Sequence, residues 1–534
     1  MAPRMRKDVW KLPADDKTLF WYGQAIKTLQ AKPITDVTSW WSLAAMHGID
    51  PQLWIDLGYL DPAVPLPFPA DPSQPGFWNQ CQHGSWYFLP WHRAYLGAFE
   101  AILLDTIVKL NGPSDWALPY WNYDPERRGN LRFPQPFAPR LLDDGSQNPL
   151  WVKERYGRRG DGVITVTPQD VPLSQLWEAP EFFDEPNGIP TSFGGTQTAF
   201  HHDAGAGAGQ LEQVPHGPIH NLVGGSIRNA DPSVAANNGL MSMFETAAID
   251  PIFWLHHANI DRLWESWLKV ARAPSDPADA FQNPDNTDWL DQPAGAFAMP
   301  APDGSTFNTT ARQVLNTQDP SLNYVYQELT VPDRPSHPLA ARLRTLGMAP
   351  SDADRTSENF GMPSSKTTEL VGEYGGSVRV AGAAVDARVQ LDPAARDKLA
   401  ASLSHKSMMG LGPEGAPKPP DRVYLALENI TSATDAGVFH VYINLPDGAD
   451  PKDFPNNFAG VVSLFGARAA SKAGGPHAGN GLAQTLDITA IVDALHLRGA
   501  LDHLDIKFIP QTPMSQQDKV DVGRVRVYRQ SRGP

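Results

Sequence analysis

The residues whose types and spacing could do chemistry are histidines, in two groups: His47, His83 and His92, and His216, His220 and the adjacent pair His256–His257. In the segment 216–220, HGPIH, a separation of four puts His216 and His220 one turn apart on a helix face, where two imidazoles can share one metal ion. A third ligand must then come from another helix. Neighbouring positions on a helix are about 100° apart, so His256 and His257 are not expected to face one metal together. His257 shares a face with Phe253, Ile260, Asp261 and Trp264, and is assigned as the ligand. Its spacing of four from Asp261 lets a carboxylate stand close to that face. Each group offers three neutral imidazoles and no obvious carboxylate or thiolate, a donor set that suits Cu, Zn, Fe or Ni. Three histidines with an open fourth position also describe a catalytic zinc site. A non-haem iron site usually includes a carboxylate. Two triads favour a dinuclear centre. Copper fits because imidazole supports both of its oxidation states, and three nitrogens leave room for dioxygen between the metals. A lone HxxxH is common and a single buried His is an ordinary core residue; the joint occurrence of two triads carries the reading.

Three segments with a helical period must hold these side chains. Residues 88–110 place Leu96, Phe99, Leu103, Ile107 and Leu110 three and four apart, with Pro90 in the first turn. Residues 250–270 open with Asp250 as a candidate N-cap and Pro251 at the first helical position. Residues 36–47 form a weaker helix that Gly48 ends. Loops join them, and AGAGAG at 204–209 reads as flexible.

Twelve of the 16 Trp precede residue 190 and none lies beyond Trp289, so the first ~290 residues read as one aromatic-rich unit. From about residue 365, short alternations of apolar and polar residues separated by turn signals (GSVRVAG, RVYLALENI, GVFHVYINLP, GVVSLFG, GRVRVYRQ) predict a β-sandwich. The expected organisation is a catalytic domain over 1–326, a Pro-rich linker over 327–364 and a C-terminal domain over 365–534. The 534 residues carry a net charge of −15, which disfavours nucleic acid as a partner. No run of ~18 apolar residues suits a membrane span. The basic N-terminus has no apolar run behind it, so it does not read as a secretory signal. A single Cys excludes an intramolecular disulfide framework. A cytoplasmic location is expected, with export alongside another protein left open, and a homo-oligomer is an open alternative.

The segments HGSWYFLPWHRAYLGAFE (83–100) and DPIFWLHHANIDRLWESW (250–267) closely resemble the two copper signatures of the tyrosinase family, the type 3 copper proteins. The resemblance spans roughly residues 40–330 and extends more weakly to a C-terminal lid. It implies a mainly α catalytic domain, a four-helix bundle around a dicopper site, plus a C-terminal β-sandwich lid domain. It implies two copper ions, one held by His47, His83 and His92 and the other by His216, His220 and His257.

It further implies a thioether between Cys81 and His83, whose bland alternative is a buried, unmodified thiol. It implies a substrate gate at Phe244 over the second copper, and a catalytic role for Glu212 in deprotonating a phenol. The Tyr324–Val325–Tyr326 run resembles the motif that closes the family's catalytic domain. In latent members a lid residue fills the mouth of the site, and Phe458 is the candidate placeholder, with Phe454 and Phe439 as nearby rivals. Acid is expected to loosen the lid through protonation of His440. One departure bears on activity: monophenol-hydroxylating members often carry Asn directly after the ligand matching His216, and this chain has Gly217, with Asn221 after His220. The implied function is oxidation of o-diphenols to o-quinones with O2, together with hydroxylation of monophenols. The alternatives are a catechol oxidase without that second activity, an aminophenol oxidase, and a hemocyanin-like oxygen-binding protein.

Overall fold

The protein is described here by a computed structural model, covering residues 2–70, 77–186, 188–200, 207–228, 237–273, 276–291, 297–331, 366–404, 421–474 and 479–532. Among the described residues before 332, five helices have eight or more residues: Thr18–Gln30, Trp40–His47, Phe88–Lys109, Gly217–Gly224 and Ile252–Trp267. The last four carry four of the six histidines singled out as ligands: His47, His92, His220 and His257. Ser39 caps Trp40–His47 by accepting from Ser42 N, so this helix starts four residues later than expected; Asp36 instead accepts from Thr38 N in the turn before it. Asp250 accepts from Ile252 N at the start of Ile252–Trp267, with Pro251 beside it, as the capping signal implied. Thr18–Gln30 has no counterpart in the sequence reading, although Tyr22, Ile26 and Leu29 recur at four and three residues and are buried. No described helix is long and apolar enough to cross a membrane.

Aromatic rings weld these helices together. Phe99 lies flat on Trp254 at 3.4 Å between centroids, and Trp40 meets both at 6.0 Å. Large rings bury area at little cost in rotamer entropy, so they fix helix separations firmly.

Asp261 is the polar counterpart of that packing. It does not stand against His257. Its carboxylate accepts from Arg93 Nε at 2.5 Å, from Arg6 Nη1 at 3.3 Å, and from the hydroxyls of Tyr324 and Tyr326. Burial pushes its carboxyl up, but Arg93, Arg6 and the two hydroxyls together hold it below the usual carboxylate range. Arg6 also pairs with Glu100 and lies 3.5 Å over the Tyr324 ring. The strand Arg4–Arg6 runs parallel to Tyr324–Tyr326, so the Tyr-x-Tyr run returns the end of this part of the chain to its beginning.

The C-terminal part is a single antiparallel sheet of nine strands. Its order is Phe458–Ser463, Val438–Ile443, His503–Pro510, Val385–Leu391, Lys366–Glu373, Val520–Arg532, Arg422–Thr431 and Leu482–Asp487; Val378–Val380 pairs with Val520–Arg532 besides. The two end strands approach each other, so one sheet curls nearly into a barrel and supplies both layers of the expected sandwich around Val389, Leu425, Leu427, Ile506 and Val525. Residues 332–364 of the expected linker lie outside the described residues.

Asp261→Ala leaves two buried guanidiniums without their shared acceptor, and a loss of ~3–5 kcal/mol is expected. Because the native carboxyl is depressed, its contribution is present above the unfolded value near 4 and is lost as pH falls through the folded value. Denaturant unfolding at pH 7 and at pH 3 checks this: the gap between wild type and variant should shrink in acid.

Candidate metal centre

His47 ends its helix, His92 lies in the second turn of Phe88–Lys109, His220 sits in Gly217–Gly224 and His257 in Ile252–Trp267. His83 comes from the loop ahead of Phe88–Lys109, and His216 closes the kinked helical turn Glu212–His216. All six imidazoles are buried, and their rings cluster. His92 and His257 stack at 4.6 Å and 13°, His216 and His220 meet at 4.5 Å, and His83 bridges to His216 at 5.7 Å.

Three rings are tethered in the same way. His47 Nδ1 bonds the carbonyl of Phe244 at 3.0 Å, His92 Nδ1 that of Phe88 at 2.7 Å, and His220 Nδ1 that of Met241 at 2.7 Å. Each carbonyl can only accept, so each Nδ1 carries the hydrogen and each Nε2 presents a lone pair. His220 Nε2 and His257 Nε2 stand 3.3 Å apart, aimed at common ground. Burial drives His92 down to about 3, and burial together with neighbouring imidazoles drives His216 and His257 well below the ordinary histidine value. These rings are neutral, as metal ligands must be.

The ligand atoms fall into overlapping groups, each within 4.8 Å: His216, His220, His256 and His257; His47, His92 and His257; and His47, Cys81 and His83. Two findings depart from the spacing argument. His256 does reach the second group despite the turn between it and His257, because an imidazole projects far enough to bend back toward the axis of convergence. Its Nδ1 is engaged by Tyr123 Oη at 2.9 Å. His83 groups with Cys81 and His47 rather than with His92, which places the buried thiol beside the imidazole it was matched with.

Glu212 is buried above the second group and accepts from Gly84 N with both oxygens, at 2.8 and 3.0 Å. Burial pushes its carboxyl up to about 8, with the Gly84 bond opposing. Phe244 stacks on His83 at 4.5 Å and 4°, so it covers a ligand of the first group and not the second. Phe458 is not at the site. It begins the strand Phe458–Ser463 and packs on His440 and Tyr442. The ring over the histidines is Phe465, just past the end of that strand: it stacks on His220 at 4.0 Å and 18° and touches Phe244, His83 and His216. The sequence signal available was the Ser-Leu-Phe-Gly turn, since a ring beyond a strand's end can reach outward whereas Phe458 is held in the sheet.

The C-terminal sheet is docked by specific contacts around this plug. Asn221 Nδ2 donates to Gly437 O at 3.0 Å and Ser463 Oγ at 2.9 Å. A Cβ on Gly217 would come within 3.1 Å of the Ser463 side chain. Val214 and Leu222 pack on Val438 and Val461. Arg468 bridges Asp435 of the sheet and Glu245, next to Phe244. His440 Nε2 faces Asp170 at 2.9 Å, a carboxylate and not the apolar or cationic partner that the expected acid release requires.

Residues 37–270 match the common central domain of tyrosinase, and residues 367–530 match a domain of unknown function, DUF7868. Tyrosinase HcTyr1 of Hahella sp. (strain CCB-MM4) is 30% identical over 98% of this chain and 99% of its own length. The chloroplastic polyphenol oxidase of Malus domestica is 26% identical over 82% of this chain and 66% of its own. Two solved structures share the fold: a latent aurone synthase (polyphenol oxidase), 20% identical with TM-score 0.59 over 100% of this chain and 90% of that one, and latent apple tyrosinase, 20% identical with TM-score 0.56 over 99% and 97%. A helical unit with clustered neutral imidazoles, full-length kinship to a tyrosinase and a shared two-part fold lead to one conclusion: the chain belongs to the tyrosinase family, copper oxidoreductases that bind two copper ions and act on phenols with O2.

Proposed function

We propose that this chain is a self-inhibited o-diphenol oxidase, with one copper held by His47, His83 and His92 and the other by His216, His220 and His257. The observation that carries the reading is the Phe465 ring stacked on His220, in the place a substrate ring would take. The donors fit copper: all six are imidazoles, and the tethered rings present Nε2 inward. Copper bound there supplies the binding site for dioxygen and accepts two electrons from the substrate.

The chain's own part is positional. The carbonyls of Phe244, Phe88 and Met241 hold three imidazoles in orientation. Phe244 walls one side of the mouth, and Phe465 excludes substrate and bulk water until it moves. An o-diphenol gives up two protons and two electrons and leaves as an o-quinone. Glu212 is placed to take one of those protons on a carboxylate oxygen; burial raises its carboxyl, and copper held by the neighbouring imidazoles would favour its ionised form. Gly217 sets no side chain beside Glu212, which makes diphenol oxidation the main activity and monophenol hydroxylation the lesser one.

Oxygen uptake by the copper-loaded chain should be faster with catechol than with tyrosine; the opposite order rejects this assignment. Metal analysis should give two coppers per chain, falling to one in His92→Ala with loss of turnover. We further propose that Cys81 and His83 become joined by a thioether in the copper-loaded protein, one S–C bond replacing the Cys81 S–H and a His83 ring C–H, with O2 as the oxidant that takes up the two electrons and two protons. Mass spectrometry of a peptide spanning residues 81–83 should show the loss of two hydrogens, and a Cys81 that still alkylates in active enzyme rules the bond out.

Phe465→Ala should raise activity on catechol at low substrate concentration, whereas Phe458→Ala should not. The pH dependence of that gain has a definite sign. Burial pushes Asp435 up to about 6, Arg468 opposing and Glu245 adding to it, so the docked form takes up a proton as pH falls through about 6. A solvated Asp does so only near 4. Acid between these values therefore favours docking. The activity ratio of Phe465→Ala to intact chain should not fall between pH 7 and pH 5.

A further inference from the structure

Beside the Phe465 ring lies a small cavity of about 40 Å³, bounded by His83, Glu212 and His216 on one side and by Ser463, Phe465 and Gln484 of the C-terminal sheet on the other. Gln484 stands out among the sheet residues that reach it. It belongs to the strand Leu482–Asp487, is 6% exposed, and donates from Nε2 to the Ser463 carbonyl at 3.3 Å. A carbonyl only accepts, so this bond orients the amide and leaves Oε1 as the end without a partner. Leaving a buried acceptor unmade costs free energy, and a residue whose only task was filling the sheet would be met more cheaply by Leu.

The position of Gln484 relative to the chemistry is fixed from the catalytic side. Gln213, the neighbour of Glu212, accepts from Thr485 N at 3.0 Å, next to Gln484. Further bonds pin the same sheet: Asn221 to Gly437 and Ser463, Arg468 to Glu245, and Arg228 to Asp518. Phe465 is held differently. It lies in the short turn between Ser463 and the helix Ala467–Ala470, ahead of Gly466 at φ 84°. A glycine in the left-handed region lets that turn change shape without steric cost. The plug can thus swing out while the sheet, with Gln484, stays docked.

We propose that Gln484 is a substrate-positioning residue contributed by the C-terminal domain. With Phe465 swung aside, a phenol ring takes its place, and the Gln484 carbonyl accepts a hydrogen bond from a donor carried on the ring's far end. The preferred substrate class is an o-diphenol bearing a hydroxyl or N–H group on a short substituent, over its alkyl counterpart. This rests on the diphenol oxidase reading above. A site built around an acceptor discriminates against the analogue that leaves the acceptor unpaired.

The test uses the intact, copper-loaded chain with 4-(hydroxymethyl)catechol and 4-methylcatechol. The wild type should favour the hydroxymethyl compound in kcat/KM by about 3- to 10-fold, the range of one neutral hydrogen bond, with the difference mainly in KM. Gln484→Leu should abolish the preference, and Gln484→Glu, which keeps an acceptor, should restore it. A change in lid docking or in folding alters both substrates alike and cancels in the ratio. An unchanged ratio in Gln484→Leu, with both catechols still oxidised, overturns the proposal. If the wild type oxidises neither catechol, it is the diphenol oxidase reading that fails.

Discussion

Six imidazoles packed ring against ring in an apolar interior disfavour the charged, doubly protonated form, and much of the molecule serves that constraint. A charged ring there would face both desolvation and its neighbours, which is why His216 and His257 are driven well below the ordinary histidine value. Neutral rings must still be aimed, because a neutral imidazole has one donor and one acceptor and either nitrogen can carry the hydrogen. Backbone carbonyls of Phe244, Phe88 and Met241 settle this for three rings. Such tethers work only if the helices and turns that own the carbonyls keep their separations to a fraction of an ångström. The stacked Phe99–Trp254 pair and the Asp261 hub supply that rigidity from outside the centre.

The same rigidity explains how a second domain can act on the first. The C-terminal sheet reaches the centre at Gly217 and Asn221, the residues directly after His216 and His220, and at Glu245, directly after Phe244. Docking therefore bears on the positions that shape the mouth, while the ligands themselves keep their backbone tethers. From the described residues of that sheet domain, Phe465 projects into ring contact with the histidines, and it does so from a turn and not from a strand.

Much of this was legible in the sequence. The helices Phe88–Lys109 and Ile252–Trp267 announced themselves by apolar period and by Pro near the start, and the buried histidines by spacing and by the two signatures. What escaped has a common cause: contacts between segments far apart in the chain. Asp261 lies one turn from His257, yet Arg93, Arg6 and two tyrosines claim it from three other segments. Phe458 and Phe465 are equally aromatic in sequence, and only the register of Phe458–Ser463 against Val438–Ile443 decides which one leaves the sheet. His256 looked excluded by helix geometry, because a 100° step constrains Cβ directions more than it constrains ring nitrogens.

The sign of the acid response was the least legible feature, and the reason is general. A histidine near an interface suggests release on protonation only if what it faces is apolar or cationic. His440 faces Asp170, which Arg158 also pairs with. Burial pushes Asp170 up, but His440 and Arg158 hold it below the usual carboxylate range. A depressed carboxylate contributes above its unfolded value and is lost only as pH falls through the folded one. This contact therefore persists through mild acid and fails in strong acid, where buried carboxylates elsewhere in the chain, Asp261 among them, are titrating too. Domain release by protonation at these contacts would thus coincide with loss of the catalytic bundle's own polar hub. A plug that swings on its own turn separates the two events, which lets the site open at neutral pH without loosening what aims the histidines.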